Sequence, residues 1–134
     1  MEEEKININL GQLLNAFSMA LDIASNRYYG HSRRTAYIAH SLAKELGLSK
    51  YQVENIYYAS LIHDIGMSGQ MAKYSVEEIH FSYELKREHC KLGHDIIEKL
   101  PLDSSIANSI LYHHEEYNGL GVFKLKGDEI PLQA

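Results

Sequence analysis

Apolar positions recur at steps of three and four over most of the chain, the period of helices that bury one face. From about Asn9 to Tyr28, Leu10, Leu13, Leu14, Phe17, Leu21 and Ala24 share one face, and Gly30 ends the run. A second helix is predicted over about Ser32 to Leu46, closed by Gly47 at the position where a left-handed residue ends a helix. Ser49 with Gln52 three residues later forms a capping box and starts a third helix. It carries Val53, Ile56, Tyr57 and Ser60 toward His63 and Asp64 and ends near Gly66. Met67 to Tyr74 reads as a loop. Ser75 with Glu78 is a second capping box, opening a helical region to about Leu100 that has room for a break in its middle and stops at Pro101. Asp103 or Ser104 caps a last helix that runs through His114 and ends by Gly119; the rest, Leu120 to Ala134, reads as irregular. No segment alternates with period two for long enough to make a strand. The expectation is an all-α bundle of about five to six helices, one domain spanning residues 1–134.

Composition narrows the functional classes. A net charge of −5 argues against a nucleic-acid polymer as partner, since a basic face is needed to hold phosphates. No apolar run reaches the length of a membrane span, so no membrane association is expected. The N-terminus, MEEEKININL, lacks the basic-then-apolar pattern of a secretory signal. The one cysteine, Cys90, leaves no internal disulfide, and the expected location is the cytoplasm.

Histidine placement changes the picture most. Of eight histidines, His31 lines up with Thr35, Ile38 and Leu42, and His63 with Val53, Ile56 and Ser60, with Asp64 beside that stripe. His89 lies among Leu85, Leu92 and Ile96, and His113, adjacent to His114, follows Ile106 and Ile110. These side chains are expected to point into the bundle. His40 faces the opposite side of its helix from His31, and His80 and His94 fall off the apolar stripes of their segments. Burying several unpaired imidazoles costs roughly a few kcal/mol each. A metal removes that cost by using their lone pairs. Histidine and carboxylate donors, with no thiolate set, suit iron, manganese, zinc or nickel. In the pair His63-Asp64, one metal can hold both side chains or the carboxylate can bridge two. His113-His114 supplies enough further donors for a second metal.

The string LIHDIGM, ending at Met67, resembles the signature of the HD superfamily of metal-dependent phosphohydrolases. HCKLGHDIIEKL, from His89, resembles the HD-GYP segment that carries a ligand histidine and a glycine four residues later. HHEEYNGLGVFKLKGDEIPLQA, from His113, resembles the block that names that subfamily, so the similarity runs from about Ala16 to Ala134. The resemblance implies a two-metal centre held by His31, His63, Asp64, His89, His113 and His114, with Asp64 bridging. His63 and Asp64 would be central to catalysis, a hydroxide on the metals attacking a phosphodiester. The implied substrate is a cyclic dinucleotide, usually cyclic di-GMP. Arg27, Met67, Arg87, Asn118, Gly119 and Gly121 are then candidates for the substrate side.

The chain departs from the family pattern at particular residues. Met67 stands where members carry a lysine, and Arg27 where trinuclear members carry a glutamate, so no third metal is expected. Asp-Gly of the naming block is Asn118-Gly119, and Gly-Tyr-Pro is Gly121-Val122-Phe123. The family's last ligand, an aspartate beyond Ile-Pro-Leu, has no counterpart before Ala134. This predicts a homodimer or a partner chain covering the C-terminal side. Two other readings follow from the departures. One is a catalytically degenerate domain that senses a nucleotide or binds a protein. The other is an HD-type phosphohydrolase acting on a different nucleotide.

Overall fold

A computed structural model describes residues 6–27 and 30–134. The described residues form six helices and no strand: α1 (Leu10–Ala24), α2 (His31–Glu45), α3 (Lys50–Ile62), α4 (Val76–Phe81), α5 (Tyr83–Ile97) and α6 (Ser104–Tyr112). Short 3₁₀ turns lie at Ile65–Gly69 and Gly127–Glu129. The all-α expectation holds. No helix among the described residues is long and apolar enough to cross a membrane.

The predicted caps set the starts. Both capping boxes form, Ser49 with Gln52 before α3 and Ser75 with Glu78 before α4. Asp103 rather than Ser104 caps α6, its carboxylate accepting from the Ser105 amide. Gly47 follows α2 with φ +69°, the left-handed conformation its position requires. Several ends come earlier than the periodicity indicates. α1 stops at Ala24, short of the expected Tyr28: Ser25 and Asn26 form a turn, with Asn26 at φ +62°, and Tyr28 lies outside the described residues. α3 stops at Ile62 and α6 at Tyr112, so His63, Asp64, His113 and His114 all follow helix C-termini instead of lying within helices. Chain direction changes there, and consecutive side chains can converge on one point as they cannot on a regular helix.

The break in the 75–100 region falls at Ser82. Its extended backbone (φ −86°, ψ 121°) ends α4 and caps α5, where its hydroxyl accepts from the Leu85 amide. The main core gathers Leu14, Leu61, Ile62, Ile97, Ile106 and Ile110, and a smaller cluster of Ala43, Val53 and Ile56 lies between α2 and α3. Burying each such aliphatic side chain stabilises the fold by about 1.5–3 kcal/mol.

The apolar stripes of α1 and α2 do not all face this core. On α1 the buried residues are Leu14, Ser18 and Asp22, whereas Leu10, Leu13 and Phe17 are exposed. On α2 the buried residues are Ser32, Ala36 and Ala43, and Ile38 and Leu42 are exposed. A polar contact fixes this orientation. α2 begins at Gly30, which has no side chain to cap it, and Asp22 from α1 takes that role. Its Oδ1 accepts from the Ser32 hydroxyl (2.9 Å) and amide (3.4 Å). Turning Asp22 inward turns Phe17 outward.

Candidate metal centre

Five segments bring imidazoles around Asp64: α2, the ends of α3 and α6, α4 and α5. The ring contacts run from His31 to His63 (centroids 5.4 Å apart), from His63 to His113 (5.4 Å), and from His113 to His89 (5.2 Å) and His114 (4.2 Å). His80 closes the series, 6.2 Å from His89 and 5.6 Å from His114. Asp64, 7% exposed, sits in the middle. Its Oδ2 faces His63 Nε2 (3.1 Å) and His31 Nε2 (3.9 Å). Its Oδ1 faces His113 Nε2 (3.7 Å) and His89 Nε2 (3.8 Å).

Two close backbone approaches create this arrangement. A Cβ built on Gly66 would lie 1.9 Å from the His89 carbonyl oxygen and 2.6 Å from the Gly93 amide nitrogen. A Cβ on Gly93 would meet the Ile110 side chain at 2.8 Å. The glycine after His63-Asp64 and the glycine after His89 thus let the 3₁₀ turn and α5 touch. That contact carries Asp64 and His89 into range of each other.

Backbone carbonyls select the tautomers. His63 Nδ1 lies 2.8 Å from the Ser60 carbonyl oxygen and His113 Nδ1 2.6 Å from that of Ile110. Each Nδ1–H donates there, which leaves Nε2 aimed at Asp64. This outer hydrogen bond is the arrangement that orients metal-ligating imidazoles. Three buried polar atoms of the centre, Asp64 Oδ1, His89 Nδ1 and His114 Nε2, have no hydrogen-bond partner. Asp64 Oδ1, His89 Nε2 and His113 Nε2 are separated by 3.3, 3.7 and 3.8 Å. Donors about 2.1 Å from one tetrahedral ion stand about 3.4 Å apart. The donor set therefore fits a divalent metal with little rearrangement.

The electrostatics agree. Burial lowers the His89 pKa to about 4 and, with the neighbouring imidazoles adding, that of His114 to about 2. Both rings stay neutral, with lone pairs free, at physiological pH. Burial also lowers His31, helped by the Arg27 charge. Burial works against the protonated form of His63, but the Asp64 carboxylate outweighs it and raises that pKa. Burial alone would raise Asp64; the imidazoles of His113 and His63 hold it well below the usual carboxylate range. Cys90, fully buried 3.7 Å from His113 Nδ1, is pushed up to about 12 by burial and the Asp64 charge, which favours the thiol in the metal-free protein. It was expected to be a small packing residue, but the fold sets its sulfur within 4.8 Å of donor atoms of His89, His113 and His114, within reach of the same ion.

The comparisons bear on this geometry directly. The HD domain family model matches residues 28–134. The chain belongs to the HD-domain family. Comparison with curated proteins and with solved structures returned no match. All six residues predicted as metal ligands lie in the one cluster of this HD domain: His31, His63, Asp64, His89, His113 and His114. A groove of about 570 Å³ opens beside them and extends between α2 and α3 past Ala39, Leu42, Leu46 and Ile56. The α2 stripe that carries His31 thus faces a groove, not the packed interior expected, and the His31 side chain is 38% exposed.

The residues proposed for the substrate side divide. Arg27 reaches the centre, its Nη1 donating to Asp64 Oδ2 at 2.6 Å. Met67 is buried, beside a small void shared with Arg27, Asp64 and Asp22. Arg87 is exposed and stacks over the Phe123 ring at 5.5 Å. Asn118, Gly119 and Gly121 shape the loop after α6. Asn118 Oδ1 accepts from the Leu120 amide, Gly119 takes φ +83°, and Gly121 lies against the Glu115 backbone. None of these three lines the groove.

His80 is the site residue that helical periodicity missed. Counting one phase through residues 75–100 puts it opposite His89, but the Ser82 break resets the phase and swings α4 so that His80 meets His89 and His114. Ser82 itself, three residues before Leu85, was the available signal. His40 and His94 stay outside, His40 edge-on to Tyr57 and His94 beside Asp95.

Proposed function

We propose that this HD domain is a metal-dependent phosphohydrolase of the HD-GYP type whose substrate is a cyclic dinucleotide. The observation that carries the reading is the buried, bifacial Asp64: one oxygen faces His31 and His63, the other His89 and His113. That geometry supports two divalent ions, with His31, His63 and Asp64 holding one and Asp64, His89, His113 and His114 the other. Divalent ions bound there would activate water and neutralise charge on a phosphoryl oxygen. The chain's own residues do the rest. Ser60 and Ile110 fix the tautomers of His63 and His113. Arg27, held by Asp64, keeps a guanidinium beside the place where a phosphate would sit, a fixed positive charge matched to an anionic substrate. The half-exposed His31 marks the open side, and the apolar groove beside it suits the flat face of a nucleobase.

Hydrolysis of cyclic di-GMP by anaerobically purified protein supplied with Fe²⁺ or Mn²⁺, alongside mononucleotides, tests the reading. Linear dinucleotide or GMP, absent with His63→Ala, is the expected result. Turnover of mononucleotides alone would move the substrate to another nucleotide class. A second reading, a nucleotide-binding domain without turnover, is favoured by one observation: Arg27 already occupies Asp64 Oδ2. It predicts nucleotide binding by metal-loaded protein with no product.

A further inference from the structure

Among the histidines outside the predicted ligand set, His80 alone stands in the centre. We propose that His80 is a further metal ligand, joining Asp64 and His114 at the end of the centre away from His31. The inference rests on the metal-binding half of the function proposed above and adds a donor that the HD and HD-GYP motifs do not include.

Three observations carry it. First, Asp64, His80 and His114 each offer a donor atom, and these atoms all lie within 4.8 Å of one another. Second, His80 is held the way His63 and His113 are held. Its Nδ1 lies 2.8 Å from the carbonyl oxygen of Val76, one turn earlier on α4. That carbonyl takes the Nδ1 hydrogen and leaves the Nε2 lone pair free, the outer hydrogen bond typical of a metal-bound imidazole. Arg27 Nη2 stands 3.4 Å from the same Nδ1, which has no lone pair to offer it once it donates to Val76. The contact only walls the ring on that edge. Third, both partners of His80 present buried atoms with nothing to bond to, Asp64 Oδ1 and His114 Nε2. Burying such atoms unpaired is unfavourable, and a cation among them removes the cost. A surface histidine meets none of these conditions, as His94 shows with its ring against exposed Asp95.

The segment that supplies His80 explains how the donor gets there. Ile79, fully buried, anchors the two-turn α4, the Ser75–Glu78 capping box sets its start, and Ser82 its end. The helix is too short to persist alone, so its packing and the metal hold each other in place.

Cobalt(II) binding to the full chain is the test, read by titration and absorption spectrum, with unfolding curves to show that each variant folds. His80→Ala is expected to raise the cobalt Kd by more than about a hundredfold, beyond the roughly 10–100-fold effect of losing an outer-shell partner. His94→Ala is expected to leave it unchanged. His80→Cys made in a Cys90→Ser background, which removes the thiol beside His113, supplies a positive signature: a sulfur-to-cobalt charge-transfer band absent from Cys90→Ser alone, which a residue that merely supports packing would not produce. Wild-type affinity and spectrum in His80→Ala, with no new band in His80→Cys, would overturn the assignment. If His89→Ala loses cobalt in that same experiment, the centre stands and only His80 falls. A wild-type chain that takes up no cobalt overturns the centre and His80 together.

Discussion

Gly66→Ala is the sharpest test of how the centre is assembled. The added methyl would lie 1.9 Å from the His89 carbonyl oxygen, 2.8 Å from its carbon and 2.6 Å from the Gly93 nitrogen. All three are backbone atoms of α5, which cannot rotate away as a side chain would. To reach an ordinary non-bonded distance, the 3₁₀ turn and α5 must separate by at least about 1 Å. A metal site tolerates about 0.2 Å in its ligand distances. Asp64 lies on one side of that separation and His89 on the other. The substitution should therefore empty the site as well as strain the fold. Overpacking of this kind costs about 1–3 kcal/mol, with more expected against rigid backbone. For a chain of this size that lowers the Tm by roughly 3–15 °C. Gly69→Ala, on the same 3₁₀ turn, is the control: its methyl meets only the Leu92 side chain at 3.5 Å, an ordinary contact. It should leave stability level or raise it by about 0.4–1 kcal/mol through the unfolded chain. Thermal unfolding in chelator, followed by metal analysis after reloading with Mn²⁺, reads both effects. Wild-type Tm and wild-type metal content in Gly66→Ala would refute the argument that backbone contact brings Asp64 to His89.

Asp64→Ala should lose metal from both faces of the centre while His40→Ala keeps it, read by metal analysis; full metal content in Asp64→Ala would remove the bridging role. Arg27→Ala breaks the 2.6 Å bond to buried Asp64 and should destabilise the metal-free protein by about 1–3 kcal/mol in urea denaturation. Unchanged stability would mean that the guanidinium is solvated in the ground state. The metal-free protein should lose stability as pH falls from about 6.5 toward 4. The unfolded chain takes up protons there on His89 and His114, whose folded pKa values of about 4 and about 2 refuse them. The raised pKa of His63 works the other way, contributing stability below 6.5 that is lost as pH rises through its folded value. His31, also lowered by burial, adds to the loss, whereas His63 is protonated in both states below about 6.5 and adds no slope there; stability therefore falls on acidification, and a flat Tm between pH 7 and 5 in chelator would contradict it. The exposed apolar face Leu10, Leu13 and Phe17 on α1, with Ile38 and Leu42 exposed on α2, predicts self-association or a covering partner. Sedimentation should show concentration-dependent dimers that Phe17→Lys weakens; a monomer at all concentrations would sink the self-association half.

Residue spacing alone determined the helical class and the capping boxes at Ser49 and Ser75, and it singled out five of the clustered histidines with their aspartate. Capping is local chemistry, complete within four residues, and inward-facing histidines at helical intervals are visible to anyone counting turns. The tertiary structure decided what counting cannot reach. It ended α3 and α6 just before their histidine pairs, so that adjacent side chains converge. It turned Asp22 inward to cap α2 and so left the apolar stripe of α1 facing out, because a buried carboxylate must find donors and an exposed leucine costs less than an unpaired charge. And it brought His80 into the centre through one extended residue at Ser82, a break that discards the helical phase on which any reading of one continuous stripe depends.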